Sequence, residues 1–317
     1  MSSENRMERR VPELRLAEYT HGSSETRDAF SSQLFAGLQR YGFIVLRDHA
    51  IPATLLESAY ELSATFFNQP EDIKRRYTKG PRGYTPFRTE RAKDAAVPDL
   101  KEFWQIGPEE SEAAVDDPTQ APNVWPESPS AFKETFLALH AALESTGRVL
   151  LEALTPGLEV PRDFFDTRVR GGNSVLRLIH YPPVPEGVES GSVRSAPHED
   201  INLITLLVPA RGPGLELLDR DGQWLPVHAG HTDLIVDSGD MLARMTNNVI
   251  PATTHRVVNP AGANVSRYSL PFFVHPRSDV ILSCIPSCLG SGARYSDITA
   301  GAFLEQRLRA IGLIGRY

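Results

Sequence analysis

Residues 195–208, SAPHEDINLITLLV, decide the reading of this chain. An imidazole at His198 and a carboxylate at Asp200 stand two residues apart, just before an apolar, β-branched run. Side chains at i and i+2 of an extended strand project to the same side, so both can reach into one interior. A third ligand must then come from a strand far along the chain, and His255 in NNVIPATTHRVVNP supplies it. Two neutral imidazoles and one carboxylate on one face of an iron(II) ion leave its other positions open, as oxygen chemistry requires. Past His255, NVSRYSLPFF carries Arg267 and Ser269 with shared strand parity. A buried Arg is costly unless paired, and no acidic residue stands beside it, so a bound anion is its simplest partner. The guanidinium fork matches a carboxylate bidentately, and the Ser hydroxyl can add a hydrogen bond.

Around this core, from about Gly171, the sequence has the rhythm of strands. NSVLRLIHYP, INLITLLVPA, GLELLDRD, QWLPVHA, DLIVD, DMLARMT, HRVVNP and SRYSLPFFVHP are short, apolar and rich in β-branched or aromatic residues, each ending at Gly, Pro, Asp or Asn. Asp221-Gly222 between two of them signals a hairpin. Strands at this spacing predict a double-sheet barrel or jelly roll. The first half reads helical: TRDAFSSQLFAGLQRYG spaces Phe30, Leu34, Leu38 and Tyr41 for one face, with Gly42 as the residue that ends the helix. GFIVL follows as a buried strand, ATLLESAYELSATFFNQP as a second helix, and a third begins at Pro129 and turns Phe132, Phe136, Leu139 and Leu143 inward. From Tyr77 to Pro129 the chain is proline-rich with little periodicity, and GAFLEQRLRAIG reads as a final helix packed back on the core.

With these residues in order, the chain resembles the isopenicillin N synthase-like family of non-haem iron(II), 2-oxoglutarate-dependent oxygenases. That family's pattern is H-x-D, then H, then R-x-S, matched here by His198-x-Asp200, His255 and Arg267-x-Ser269. SGDMLARMTNNVIPATTHRVVNP is similar to its stretch around the second His. LQRYGFIVLRDHAIP is similar to its N-terminal Tyr-Gly-Phe…Asn-His-Gly-Ile-Pro signature, with Asp48 and Ala50 as departures. The resemblance runs from about residue 11 to the C-terminal helix. It implies a mixed α+β fold: a double-stranded β-helix (jelly-roll) core over about 170–280, a helical N-terminal region and substrate-side segment over about 1–169, and a C-terminal tail and helix over 281–317. The whole chain, 1–317, then forms a single oxygenase domain. The resemblance also implies Fe(II) on the triad, 2-oxoglutarate as co-substrate on Arg267, Ser269 and Tyr181 of LRLIHYPP, and dioxygen at an open position. Oxidation of a small organic molecule, of the kind met in natural-product biosynthesis, then accompanies release of succinate and carbon dioxide. The formal charges of iron(II), Asp200, a dianionic co-substrate and Arg267 cancel, as a buried cluster demands. Two readings stay open beside it. An iron oxidase would use the Arg-x-Ser pair for its substrate's own carboxylate, and a non-catalytic ligand-binding protein could share the fold.

Other residues and the composition bound the rest. Arg177 shares parity with Tyr181 and should face the same cavity, as should Phe273 and His275 if Pro271 leaves the register intact. Tyr84 and Arg88 from the irregular segment could close over a substrate with an apolar body and a carboxylate or polar oxygens. The competing reading pairs Arg177 with an acid such as Glu102, for packing only. His231-x-Asp233, with His228 upstream, is a decoy: it lies between strands with no inward run to aim two ligands. His21 and His140 read as solvated, and His49 as part of a turn. A net charge of −7 argues against a nucleic-acid binder, which would show a basic stripe. No run is long enough to span a membrane. The polar start MSSENRMERR is no secretory signal, and Cys284 and Cys288 are too few for a disulfide framework, which suits a reducing cytoplasm. Oligomeric state leaves no trace in the sequence.

Overall fold

Helix formation at the N-terminus follows from caps and spacing. After strand β1 (Glu13–Arg15) and the turn α1 (Leu16–Thr20), helix α2 spans Ser24–Tyr41. The Ser23 side chain accepts from the Thr26 amide, and Phe30, Leu34 and Leu38 are buried. Gly42 ends the helix in the left-handed region (φ 66°), its amide donating to the Leu38 carbonyl. The chain continues as β2 (Phe43–Arg47), α3 (Ala53–Phe67), α4 (Glu71–Arg75), β3 (Thr78–Lys79), β4 (Arg82–Thr85), β5 (Glu102–Ile106), α5 (Phe132–Leu154) and α6 (Asp166–Val169). Then come β6 (Val175–Tyr181), β7 (Ser195–His198), β8 (Ile204–Val208), β9 (Leu215–Leu218), β10 (Trp224–Pro226) and β11 (Leu234–Ser238). The short helix α7 (Asp240–Met245), β12 (His255–Val257), β13 (Arg267–Val274) and α8 (Ala300–Ala310) complete the order. This computed structural model describes residues 10–92, 96–109 and 121–310; the polar start and the last turn expected of the final helix lie outside them.

The strands form two facing sheets, the jelly-roll core the spacing predicts. The larger has nine strands in the order β1-β2-β11-β8-β13-β6-β5-β4-β3, the smaller four in the order β10-β9-β12-β7. Parity divides the large sheet. Leu234 and Val236, Leu206 and Val208, Leu270 and Phe272, and Leu176 and Leu178 turn outward into one apolar cluster with α2, α3 and α5. Phe43, Phe103, Ile179, Tyr181 and Ile235 turn inward, against Leu215, Leu217 and Val257 of the small sheet. The Asp221-Gly222 hairpin joins β9 to β10, with Gly222 at φ 74°.

Three expectations need correction. The proline-rich stretch is not wholly irregular: β3, β4 and β5 extend the large sheet, because Tyr84 and Trp104 pair across strands and share its outer face. DMLARMT is the helix α7 rather than a strand, with Met241, Leu242 and Met245 buried at helical spacing. His140 is buried, not solvated; its Nε2 lies 3.1 Å from the Ser174 carbonyl and its ring meets Phe272 edge-on.

Gly42 is constrained twice. Its φ is left-handed, and a Cβ there would stand 2.0 Å from the Thr253 hydroxyl oxygen. Gly42→Ala should therefore destabilise the protein by about 1–3 kcal/mol, read as a lower denaturation midpoint with unchanged slope.

Candidate active site

Two adjacent strands of the small sheet bring the imidazoles together. In the β12–β7 ladder His255 stands directly opposite His198, and their ring centroids are 4.4 Å apart. Asp200 follows in the loop after β7, and that loop is held by α7. The amide of Asp240 donates to the Asp200 carbonyl at 2.7 Å, and the amide of Met241 donates to Asn202 at 3.0 Å. Gly239 permits this approach, since a Cβ there would sit 2.3 Å from the Asn202 carbonyl oxygen. Ligand atoms of His198, Asp200 and His255 all lie within 4.8 Å of one another, close enough to share one ion.

Hydrogen bonds fix the imidazole tautomers. His198 Nδ1 is 2.8 Å from the Ala196 carbonyl and His255 Nδ1 is 3.1 Å from the Thr253 carbonyl, so each Nδ1–H donates to backbone. Each Nε2 lone pair is then turned to the same Asp200 oxygen, at 3.9 and 3.8 Å. Burial, reinforced by His255, pulls His198 down to about 4, which keeps it neutral as a metal ligand must be. The other Asp200 oxygen accepts from the Thr205 hydroxyl, itself a partner of the Asn202 amide. Burial, then the Asp200 charge, pushes the neighbouring Asp237 carboxyl well above the usual range.

The triad opens into a cavity of about 1110 Å³ between the sheets. Arg267, Ser269, Pro271 and Phe273 line it from alternate positions of β13, and Tyr181 stands opposite Arg267 on β6. Pairing of β13 runs unshifted through Pro271, so the register holds. Arg267 is 5% exposed, with its guanidinium 5.2 Å from the Tyr181 ring centroid. Its Nε and Nη1 have no hydrogen-bond partner, and it forms no ion pair among the described residues. Burial lowers its pKa. A buried, under-partnered guanidinium fits a carboxylate that enters with a ligand, and two imidazole Nε2 atoms converging with the Asp200 carboxylate fit a divalent ion.

Of the expected substrate-facing residues, Arg177, Phe273 and His275 line the cavity. Arg177 is not spare charge, however. Its Nη1 donates to Glu90 at 3.1 Å, its Nε and Nη2 donate to Gln105, and the guanidinium lies between the rings of Phe103 and Phe273. The acid is Glu90 rather than Glu102, which instead binds Lys74, Tyr84 and His180. Tyr84 borders the cavity, but its side chain points to the helix side beside Phe66, because it pairs with the outward Trp104. Arg88 pairs with Glu189 at 2.6 Å and does not line the cavity. At the decoy, Asp233 caps the Gly230 amide and His231 is exposed.

Sequence reasoning passed over several cavity residues. Glu90 sits outside any periodic segment. Lys101, held by Asp99 at 2.8 Å and Glu90 at 3.6 Å, shares parity with Phe103 and Gln105 and was legible only once β5 was recognised. Leu304, Arg307 and Leu308 of α8 also reach the cavity, and Arg307 pairs with Asp240.

Residues 11–128 match the family described as non-haem dioxygenase in morphine synthesis N-terminal, and residues 172–276 match the 2OG-Fe(II) oxygenase superfamily. The 2-oxoglutarate-Fe(II) type oxidoreductase hxnY of Emericella nidulans is 31% identical over 85% of this chain and 82% of its own length. This chain belongs to the 2-oxoglutarate- and iron(II)-dependent oxygenases. It is a dioxygenase whose cofactor is Fe(II) and whose co-substrates are 2-oxoglutarate and dioxygen. The proline hydroxylase buaE of Petromyces alliaceus is 31% identical, covering 94% of this chain and 98% of its own. Among solved structures, a 2OG-Fe(II) oxygenase family protein from Caulobacter crescentus is 41% identical with a TM-score of 0.84, covering 95% of this chain and 99% of that one. A Neurospora crassa enzyme crystallised with alpha-KG and thymine is 29% identical with a TM-score of 0.85, covering 95% and 96%. No described helix of the present chain is long and apolar enough to cross a membrane.

The Glu90 carboxylate yields a stability prediction. Burial alone would raise its pKa, but Arg177 and then Lys101 outweigh burial and hold it at about 2. Its contribution is complete above the unfolded value of ~4.3 and is lost as pH falls through about 2. Glu90→Ala leaves Arg177 without a carboxylate and should cost about 3–5 kcal/mol at neutral pH. Urea unfolding should show that deficit shrinking between about pH 5 and pH 2.

Proposed function

We propose that His198, Asp200 and His255 hold the iron, and that Arg267, with Ser269 and Tyr181, receives the far carboxylate of 2-oxoglutarate. The observation that carries this is the Arg267 guanidinium, with two nitrogens unpartnered, buried in the same cavity as three converging ligand atoms. When bound, iron(II) and 2-oxoglutarate supply the oxidising chemistry with dioxygen and release succinate and carbon dioxide. The protein's residues orient and enclose. Backbone carbonyls keep both imidazoles in the ligating tautomer, and Thr205 steadies the Asp200 oxygen turned away from them. Ser269, two residues along β13, adds a donor beside Arg267 on the same wall. The substrate is a small organic molecule set against Phe273, His275 and the Glu90-clamped Arg177, whose guanidinium lies over the rings of Phe103 and Phe273. The Neurospora enzyme's complex with thymine agrees with a ligand of that size. We read the whole chain as one oxygenase unit acting in the cytoplasm: the helices of its first half pack directly on the large sheet, and both thiols are unpaired.

Release of succinate and carbon dioxide on adding 2-oxoglutarate to the Fe(II)-loaded protein tests the activity, and two variant series test the residues. Ala at His198, Asp200 or His255 should abolish stoichiometric iron by metal analysis, while His231→Ala keeps it; the reverse pattern would refute the assignment. Arg267→Ala should keep iron and weaken 2-oxoglutarate by ~2–5 kcal/mol, a roughly thirty- to several-thousand-fold rise in Kd. Unchanged 2-oxoglutarate affinity in that variant would remove Arg267 from the site.

A further inference from the structure

A second guanidinium borders the same cavity without a carboxylate partner among the described residues. Arg82 on β4 is 3% exposed. Its Nη2 donates to the Asn173 amide oxygen, and its Nε has no partner. It makes no ion pair among the described residues, and burial alone pulls it down to about 10. The backbone leaves a cradle for it: a Cβ on Gly107 would stand 2.4–2.8 Å from three guanidinium atoms.

Its place in the barrel is defined by register. Arg267 stands opposite Tyr181 at one end of the β13–β6 ladder, and Phe273 opposite Val175 at the other. Asn173 precedes β6 and His275 follows β13 at that second end, and both line the cavity with Arg82. Six residues of strand separate Arg267 from Phe273, roughly 20 Å of rise. His275 lies within electrostatic reach of Arg82, of Arg177 and of the proposed metal ligand Asp200. The second end is therefore the one remote from the co-substrate anchor, with the triad's Asp200 still within electrostatic reach of His275.

The other buried cations of this wall are matched internally. Arg177 and Lys101 are balanced by Glu90 and Asp99. With 2-oxoglutarate on Arg267, Arg82 is the buried cavity cation that has no acidic partner among the described residues. A lone amide oxygen is a poor counterpart for a buried guanidinium, which forms its strong bonds bidentately to carboxylates.

We propose that Arg82, with Asn173 beside it, is the anchor for an anionic group of the primary substrate, so that this enzyme oxidises a small organic acid. The proposal rests on the 2-oxoglutarate reading above, and it moves the carboxylate anchor from Arg177, whose charge is spent on Glu90, to Arg82.

The test uses the full chain, Fe(II)-loaded, anaerobic and saturated with 2-oxoglutarate. It is titrated calorimetrically with acid–amide pairs: benzoate and benzamide, nicotinate and nicotinamide, phenylacetate and phenylacetamide. Wild type should bind at least one acid about tenfold or more tighter than its amide. Arg82→Met should erase that preference, and Arg82→Lys should retain part of it. All three proteins should bind one 2-oxoglutarate per chain, which separates a substrate acid from a second copy of the co-substrate. Thermal unfolding gives an independent readout. Removing an unmatched buried charge should leave Tm unchanged or raise it in Arg82→Met, whereas a structural arginine would lower it by several degrees. No acid preference in wild type, a preference that survives in Arg82→Met, or failure of Arg82→Met to fold would each overturn the proposal. Failure of wild type to bind 2-oxoglutarate would instead strike the parent reading, since the acid–amide comparison can be repeated without it.

Discussion

Taking a charge out of water costs several kcal/mol unless an opposite charge accompanies it, and this barrel buries charge along its whole inner wall. Two solutions coexist. Glu90, Asp99, Lys101 and Arg177 neutralise one another, so that part of the wall is complete without any ligand. Arg267 is left open, with two guanidinium nitrogens unpartnered. The difference distinguishes scaffold from site. A closed ion network rigidifies the wall, whereas an open cation marks where a bound anion completes the electrostatics. Asp200, with two imidazoles turned to one of its oxygens, is the corresponding open anion.

Strand parity turns that chemistry into geometry. On β13 alone, Leu270, Phe272 and Val274 seal the sheet against the helices, while Arg267, Ser269, Pro271 and Phe273 face the cavity. A slip of one residue would exchange the two sets, burying the guanidinium in hydrocarbon and exposing leucine to the site. The apolar cluster under α5 thus defends the register on which the active site depends. Pro271 is tolerated within the ladder because its neighbours keep pairing with β6 and β8 on either side of it.

The parts legible in the sequence were those governed by a period or a fixed offset. His198, Asp200, His255, Arg267 and Ser269 lie on strands or next to them, where i and i+2 share a side, and the structure gathers them round one cavity. Phe273 and His275 followed from the same rule. What failed had no period to read. DMLARMT is apolar at spacings that suit a strand's composition, and only its length and buried Met241, Leu242 and Met245 reveal a helical turn. Tyr84 was assigned inward from its chemistry, but its cross-strand partner Trp104 fixes it outward, and that pairing is non-local. Glu90 reaches Arg177 across 87 positions of sequence, a distance no local pattern spans.

This division follows the division of labour in the molecule. The proposed iron and co-substrate residues sit on ladder strands, or in the case of Asp200 just after one, where backbone hydrogen bonds set the spacing, so little can vary without losing the site. Another part of the cavity wall is assembled from Thr85, Pro86, Thr89 and Glu90, the ends of β4 and β5, and one face of α8. β4 and β5 form an edge extension of the large sheet and α8 follows the barrel, so these segments lie outside the strand pairs that carry the triad and Arg267. Substitution there changes the shape and charge offered to a substrate while the oxidising centre keeps its geometry. A common chemistry can then serve different molecules, and the unmatched charges on that wall, rather than the metal motif, carry the information about which one.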